Sequence, residues 1–134
     1  MIALLTTLYS TLNGDAALLA LATGGVWQEQ AAPKTAPPFV IFYPVPGAGP
    51  QHVLGGDEAY TDVMIGAKGV ALNADVAEQI RERLQQLLAN AAISVTGYNV
   101  MSFLRSQDFV FHEEIAGTTR YHRGDYYRGQ LQKL

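Results

Sequence analysis

Apolar positions at the start of the chain recur at helical spacing. Ile2, Leu5, Leu8, Tyr9 and Leu12 predict a first helix over Ile2–Leu12, which "NGD" breaks. Asp15 can cap a short second helix through Leu21, and "TGG" supplies the glycine that favours a left-handed helix end. "VWQEQ" reads as a short strand. Pro33, Pro37 and Pro38 then hold the backbone extended, because a residue before proline is pushed out of the helical region. "FVIFY" is short, branched and aromatic, which predicts a strand buried on both faces and ended by Pro44. Its successor, Glu58–Lys68, alternates Tyr60, Asp62 and Met64 against Thr61, Val63, Ile65 and Ala67, with the second set toward the core.

"LNADVAEQIRERLQQLLANA" is the clearest element. Asn73 or Asp75 can cap it, and Val76, Ile80, Leu84, Leu87 and Leu88 form an apolar stripe opposite a polar side. Three strands are expected after it: Ile93–Val95, a strand from Phe103 or Gln107 to Ile115, and Arg120–Tyr127. "AGTT" joins the last two into a hairpin. Helices, strands, one long helix and more strands in that order predict an α+β fold, an antiparallel β-sheet with one long helix packed on a face and short N-terminal helices. No pattern repeats along the chain, and 134 residues suit a single domain.

Composition narrows the function classes. With 49% hydrophobic and 16% charged residues the chain can bury a core without staples. It contains no cysteine, which removes thiolate metal sites, disulfides and cysteine nucleophiles. A net charge of −3 argues against a broad duplex-DNA face, although the end of the chain is locally basic: Arg120, Arg123, Arg128 and Lys133 stand against Asp125 alone. The apolar N-terminus lacks a basic start and is interrupted at Asn13–Asp15, which fits neither a signal peptide nor a membrane span.

Candidate chemistry is sparse. If His112 lay opposite His122, two imidazoles and a carboxylate could hold a divalent metal. Adjacent strand residues point to opposite faces, however, so His112 and Glu113 cannot reach one ion together. Glu113 and Glu114 diverge for the same reason and make no acid/base pair. No glycine-rich stretch has the layout that cradles phosphate, and no serine sits in a nucleophile elbow. Tyr121, Tyr126 and Tyr127 among the arginines have the composition of a single-stranded nucleic-acid platform, but equally that of an ordinary edge strand. Neither a catalytic residue nor a metal or cofactor site is expected.

"GDAALLAL", Trp27, "APKTAPPFVIF", the long helix after "NAD" and the closing "YHRGDYYRGQL" together resemble the tail terminator (tail completion) family of long-tailed bacteriophages, over almost the whole chain. The resemblance implies a non-enzymatic virion protein, made in the host cytoplasm and located in the tail at the head–tail junction. Subunits of that kind close into a ring, typically a hexamer, on the head-proximal end of the tail tube. The implied partners are other copies of the chain, the tail tube protein, a head-side connector or neck protein, and DNA passing through the lumen without sequence-specific binding; no membrane is implied. A head-side neck or adaptor ring is the nearest alternative, and a small metal- or ligand-binding domain a more distant one. In a ring the Pro/Gly-rich stretch at about 44–57 gains a use as an assembly arm that includes Val45, Pro46, Gly47, Gln51, His52, Val53, Leu54 and Asp57, with His52, Val53 and Leu54 as its contact residues. Arg120, Arg123 and Arg128 are the candidate lumen-facing or partner-facing bases.

Overall fold

A computed structural model describes residues 2–45, 50–52, 58–89 and 93–134. The fold is α+β. Helices α1 (Ile2–Asn13), α2 (Ala16–Leu21) and α3 (Ala74–Leu88) are accompanied by six strands among the described residues: β1 (Val26–Gln28), β2 (Phe39–Pro44), β3 (Pro50–His52), β4 (Glu58–Ala71), β5 (Tyr98–Ile115) and β6 (Thr118–Lys133). The sheet runs β1-β2-β4-β6-β5, with β3 pairing β4 off that path. It is not wholly antiparallel as expected. β1 and β2 pair in parallel because an extended connection, rather than a tight turn, carries the chain from one to the other.

The helices share one face of the sheet. Leu4, Leu8 and Leu12 of α1, Leu18 of α2 and Ile80, Leu84 and Leu88 of α3 form one core with Val40, Phe42, Val63, Ile65, Tyr127 and Leu131. The buried stripe of α1 is therefore rotated from the expected one: Ile2 is 82% exposed and Tyr9 43%. Side chains at i, i+4 and i+8 meet the sheet, and the neighbouring apolar positions are left at the rim. On α3, Ala77 joins Ile80, Leu84 and Leu88 in the buried set, whereas Val76 and Leu87 are half-buried. Caps fall where the sequence puts them. The Asp15 carboxylate accepts from the Leu18 N–H at 2.8 Å, and the Asn73 side chain accepts from the Asp75 N–H at 2.7 Å.

β2 ends at Pro44 as expected, and Pro44 is its last paired residue, opposite Ile65. Other strand boundaries differ from expectation. Ile93–Val95 is not a strand; Val95 alone makes a bridge, to Tyr98. The closing hairpin is much longer than expected, with 18 residues in β5 and 16 in β6. Its turn is the two residues Ala116 and Gly117, both at positive φ (51° and 81°), the geometry that matches the twist of paired strands. Leu84 and its neighbours thus pack on β4 and β6, while the outer part of β5 has no helix over it.

Candidate functional site

β-strand alternation divides the described side chains of the sheet into a helix face and an opposite, open face. On the open face lie Phe39, Ile41 and Tyr43 of β2, Lys68 and Val70 of β4, His122, Tyr126 and Arg128 of β6, and Phe109, Phe111 and Glu113 of β5, as the cross-strand partners require. The aromatic members touch in series. The Phe109 ring is 4.8 Å from that of Tyr126 and 6.3 Å from that of Phe111, and Phe111 stacks on His122 at 4.2 Å. Gly66 makes room for this row: a side chain there would strike the Tyr43 ring at 2.5 Å. Burial and the adjoining Tyr126 hydroxyl push the Tyr43 phenol up to about 12, so it stays protonated.

At one end of the row the segment after β1 walls a cleft of about 370 Å³. Glu29, Lys34 and Thr35 form the wall, Phe39, Ile41 and Val70 an apolar floor, and Lys68, Glu113, Arg120 and His122 the polar side. His122 is 5% exposed, and its Nε2 lies 2.8 Å from Glu113 Oε1. In the neutral form Nε2–H donates to that carboxylate. Burial holds the imidazole pKa below the ordinary histidine value; Lys68 acts in the same direction and Glu113 against both. Burial likewise lowers the Lys68 pKa, with Glu113 opposing, and the Lys68 ammonium sits 5.0 Å from the Phe111 ring centre.

The expected residues are not brought together as the metal hypothesis required. Phe111, not His112, stands opposite His122, and His112 stands opposite Tyr121 on the helix face. A one-residue difference in register exchanges faces, so His122 meets Glu113 diagonally and His112 is excluded. Among the described residues no three metal-ligating side chains cluster.

The basic residues are also dispersed. Arg120 lines the cleft, Arg128 is exposed on the open face, and Arg123 faces α3, 4.0 Å from Glu78 and over the Tyr121 ring at 5.7 Å. Tyr127 is fully buried in the core and Tyr126 belongs to the open-face row, so the tyrosines make no shared stacking platform. Of the arm residues, Val45 donates its N–H to the Met64 carbonyl at 2.8 Å. Gln51 and His52 belong to β3, a strand not among those expected, and pair with Tyr60 and Glu58. Pro46, Gly47, Val53, Leu54 and Asp57 lie outside the described residues.

A buried polar assembly under α3 has no signal in the sequence pattern. Asp125, 1% exposed, receives Gln85 Nε2 at 2.9 Å, Arg105 Nη1 at 3.2 Å and Arg81 Nε at 3.3 Å. Arg81 reaches on to Glu78 at 2.9 Å and Asp108 at 3.3 Å. Only the fold joins residues so far apart in the chain.

No protein-family model matches the chain, and no curated protein matches it. The fold is shared. A chain from the virion of a native gene transfer agent particle superposes with a TM-score of 0.75 over 97% of this chain and 95% of its own, at 16% identity. A second solved chain, whose description states no activity, gives 0.62 over 99% and 93%, at 18% identity. At such identities the likeness is one of fold. Among the described residues no helix is long and apolar enough to cross a membrane.

Proposed function

We propose that this protein is a virion structural subunit, a tail terminator acting as one domain over residues 1–134. Copies of it form a ring, of six in our reading, on the head-proximal end of the tail tube. The ring stops tube polymerisation and presents a joining surface to the head-side connector. Its action is geometric and uses no catalysis, metal or cofactor.

The observation that carries this reading is the near-complete two-way match to a chain of a gene transfer agent virion, with no large insertion or missing element on either side. The resemblance of "APKTAPPFVIF" and "YHRGDYYRGQL" to tail terminators supports it independently. Within the cleft, His122 pairs with Glu113 and stacks on Phe111. Net charge of −3 suits a lumen through which DNA slides, since each phosphate contact adds salt-dependent affinity. Within the ring, Val45–Asp57 acts as the assembly arm, and its strand β3 adds backbone pairing at the base. Arg120, Arg123 and Arg128 face different surroundings, and Arg128 is the one we assign to the lumen or a partner.

Deleting the reading frame and imaging the particles tests the assignment. Overlong, unattached tails beside DNA-filled heads are expected. Tails of normal length that fail to join would move the protein to the head side of the junction. Replacing residues 46–57 with a short linker should abolish ring formation; rings and joined particles of normal appearance would refute the arm.

A further inference from the structure

β5 is the outer strand of the sheet and runs for 18 residues. Natural edge strands are kept short, bent or covered, because their outward N–H and C=O groups accept another strand. β5 is long and largely exposed beyond Leu104; it carries one pairing irregularity, between Arg105 and Gln107, and several charged side chains, but nothing shortens it. Leu104 (51%), Val110 (54%), Phe111 (42%) and Ile115 (46%) are all substantially exposed on it. Apolar exposure of that density along a free backbone edge marks an interaction surface.

We infer that this edge is an interface between copies of the chain, in which two β5 strands pair antiparallel about a two-fold axis at Val110. The register follows from the faces. Phe109 and Phe111 stand opposite Gly124 and His122, on the open face; Asp108, Val110 and His112 stand opposite Asp125, Arg123 and Tyr121, on the helix face. With Val110 on the axis, Phe109 meets the second copy's Phe111 on one face, and Asp108 meets the second copy's His112 on the other. The pairing irregularity between Arg105 and Gln107 offsets the strand by one residue. That offset sets Arg105 beside the second copy's Glu114 on the helix face, and Leu104 beside the second copy's Ile115 on the open face. Symmetry makes every such pair twice.

Neighbouring registers lack this agreement. An axis at Phe109 opposes Asp108 to Val110. An axis at Phe111 opposes Asp108 to Glu114 and Phe109 to Glu113, burying an apolar ring against a carboxylate and pairing like charges. A contact of this isologous kind closes at two copies, so it differs from a ring contact and stands or falls separately from the proposed function.

The chain has no cysteine, so a single introduced thiol reports the register cleanly. Antiparallel partners lie about 4.5–5.5 Å apart at Cα, within disulfide reach. The full-length protein should sediment at twice the mass of one chain. Val110→Cys should cross-link to completion under mild oxidation, while Thr6→Cys on α1 stays unlinked. Mixing Leu104→Cys with Ile115→Cys should give mixed dimers in excess of either alone. Val110→Lys, at an exposed position, should abolish the dimer while leaving the far-UV circular dichroism spectrum unchanged. A single-chain mass at high micromolar concentration, or Val110→Cys cross-linking no faster than Thr6→Cys, would overturn the inference.

Discussion

Asp125 is a buried carboxylate that the fold tolerates because Gln85, Arg105 and Arg81 donate to it from three directions. Removing Asp125 still leaves Arg81 paired with Glu78 and Asp108 and Arg105 open to water, so the cost is that of unmet hydrogen bonds at Gln85 and Arg81, about 1–3 kcal/mol. Asp125→Ala should therefore lose about that much stability in urea unfolding, and a loss below about 1 kcal/mol would show the network to be dispensable. His122 gives a pH-dependent counterpart. Its pKa in the folded chain lies below the unfolded value, through burial first and Lys68 second. The unfolded chain thus takes up the proton first as pH falls. The contribution of His122 is complete above the ordinary histidine value of about 6.5 and is lost as pH drops through the folded one. Wild-type melting temperature should fall between pH 7.5 and 5, and His122→Gln should flatten that slope. An equal slope in the variant would contradict the assignment.

At the scale of elements, α3 approaches β4 closely at Gly69, where an added side chain would lie 2.5 Å from Ile80 Cγ2 and 3.2 Å from the Ala77 carbonyl. Gly69→Ala should cost about 1–3 kcal/mol of overpacking, read as a lowered urea midpoint. An unchanged midpoint would mean that α3 sits farther from the sheet. Elements with one buried face were legible in the sequence. The stripe of α3, the caps at Asp15 and Asn73, and the alternation of β4 follow from periodicity and local hydrogen bonding. The strands that were misjudged lack such a face or hide it. β5 was expected over Phe103 or Gln107 to Ile115; the part that was missed, Tyr98–Ser102, alternates only between half-buried and exposed positions. β6 continues past Tyr127 through Gly129, a residue of poor strand propensity whose missing side chain leaves room for the Phe103 ring at 2.9 Å. Likewise Pro50–His52 pairs through its backbone, which side-chain pattern does not reveal.

Taken whole, the molecule carries its helices on one face of the sheet and an aromatic, partly walled cleft on the other, with a long strand free at the edge. Helix–strand segregation made the α+β class readable, but the parallel β1–β2 pair depends on how the proline-rich connection crosses, which no short-range rule specifies. Pairings across the sheet were even less accessible: His122 with Glu113, and Arg81 with Asp125, each depend on register. Function is less legible still, because an assembly protein acts through extended surfaces rather than a compact chemical motif. The measurement that bears most directly on the proposed role is a reconstruction of the head–tail junction in intact particles by electron cryomicroscopy. Our account predicts a closed ring of this chain seated on the last ring of the tail tube, beneath the head-side connector. Density for the chain on the head side of that connector, or its absence from the particle, would contradict it.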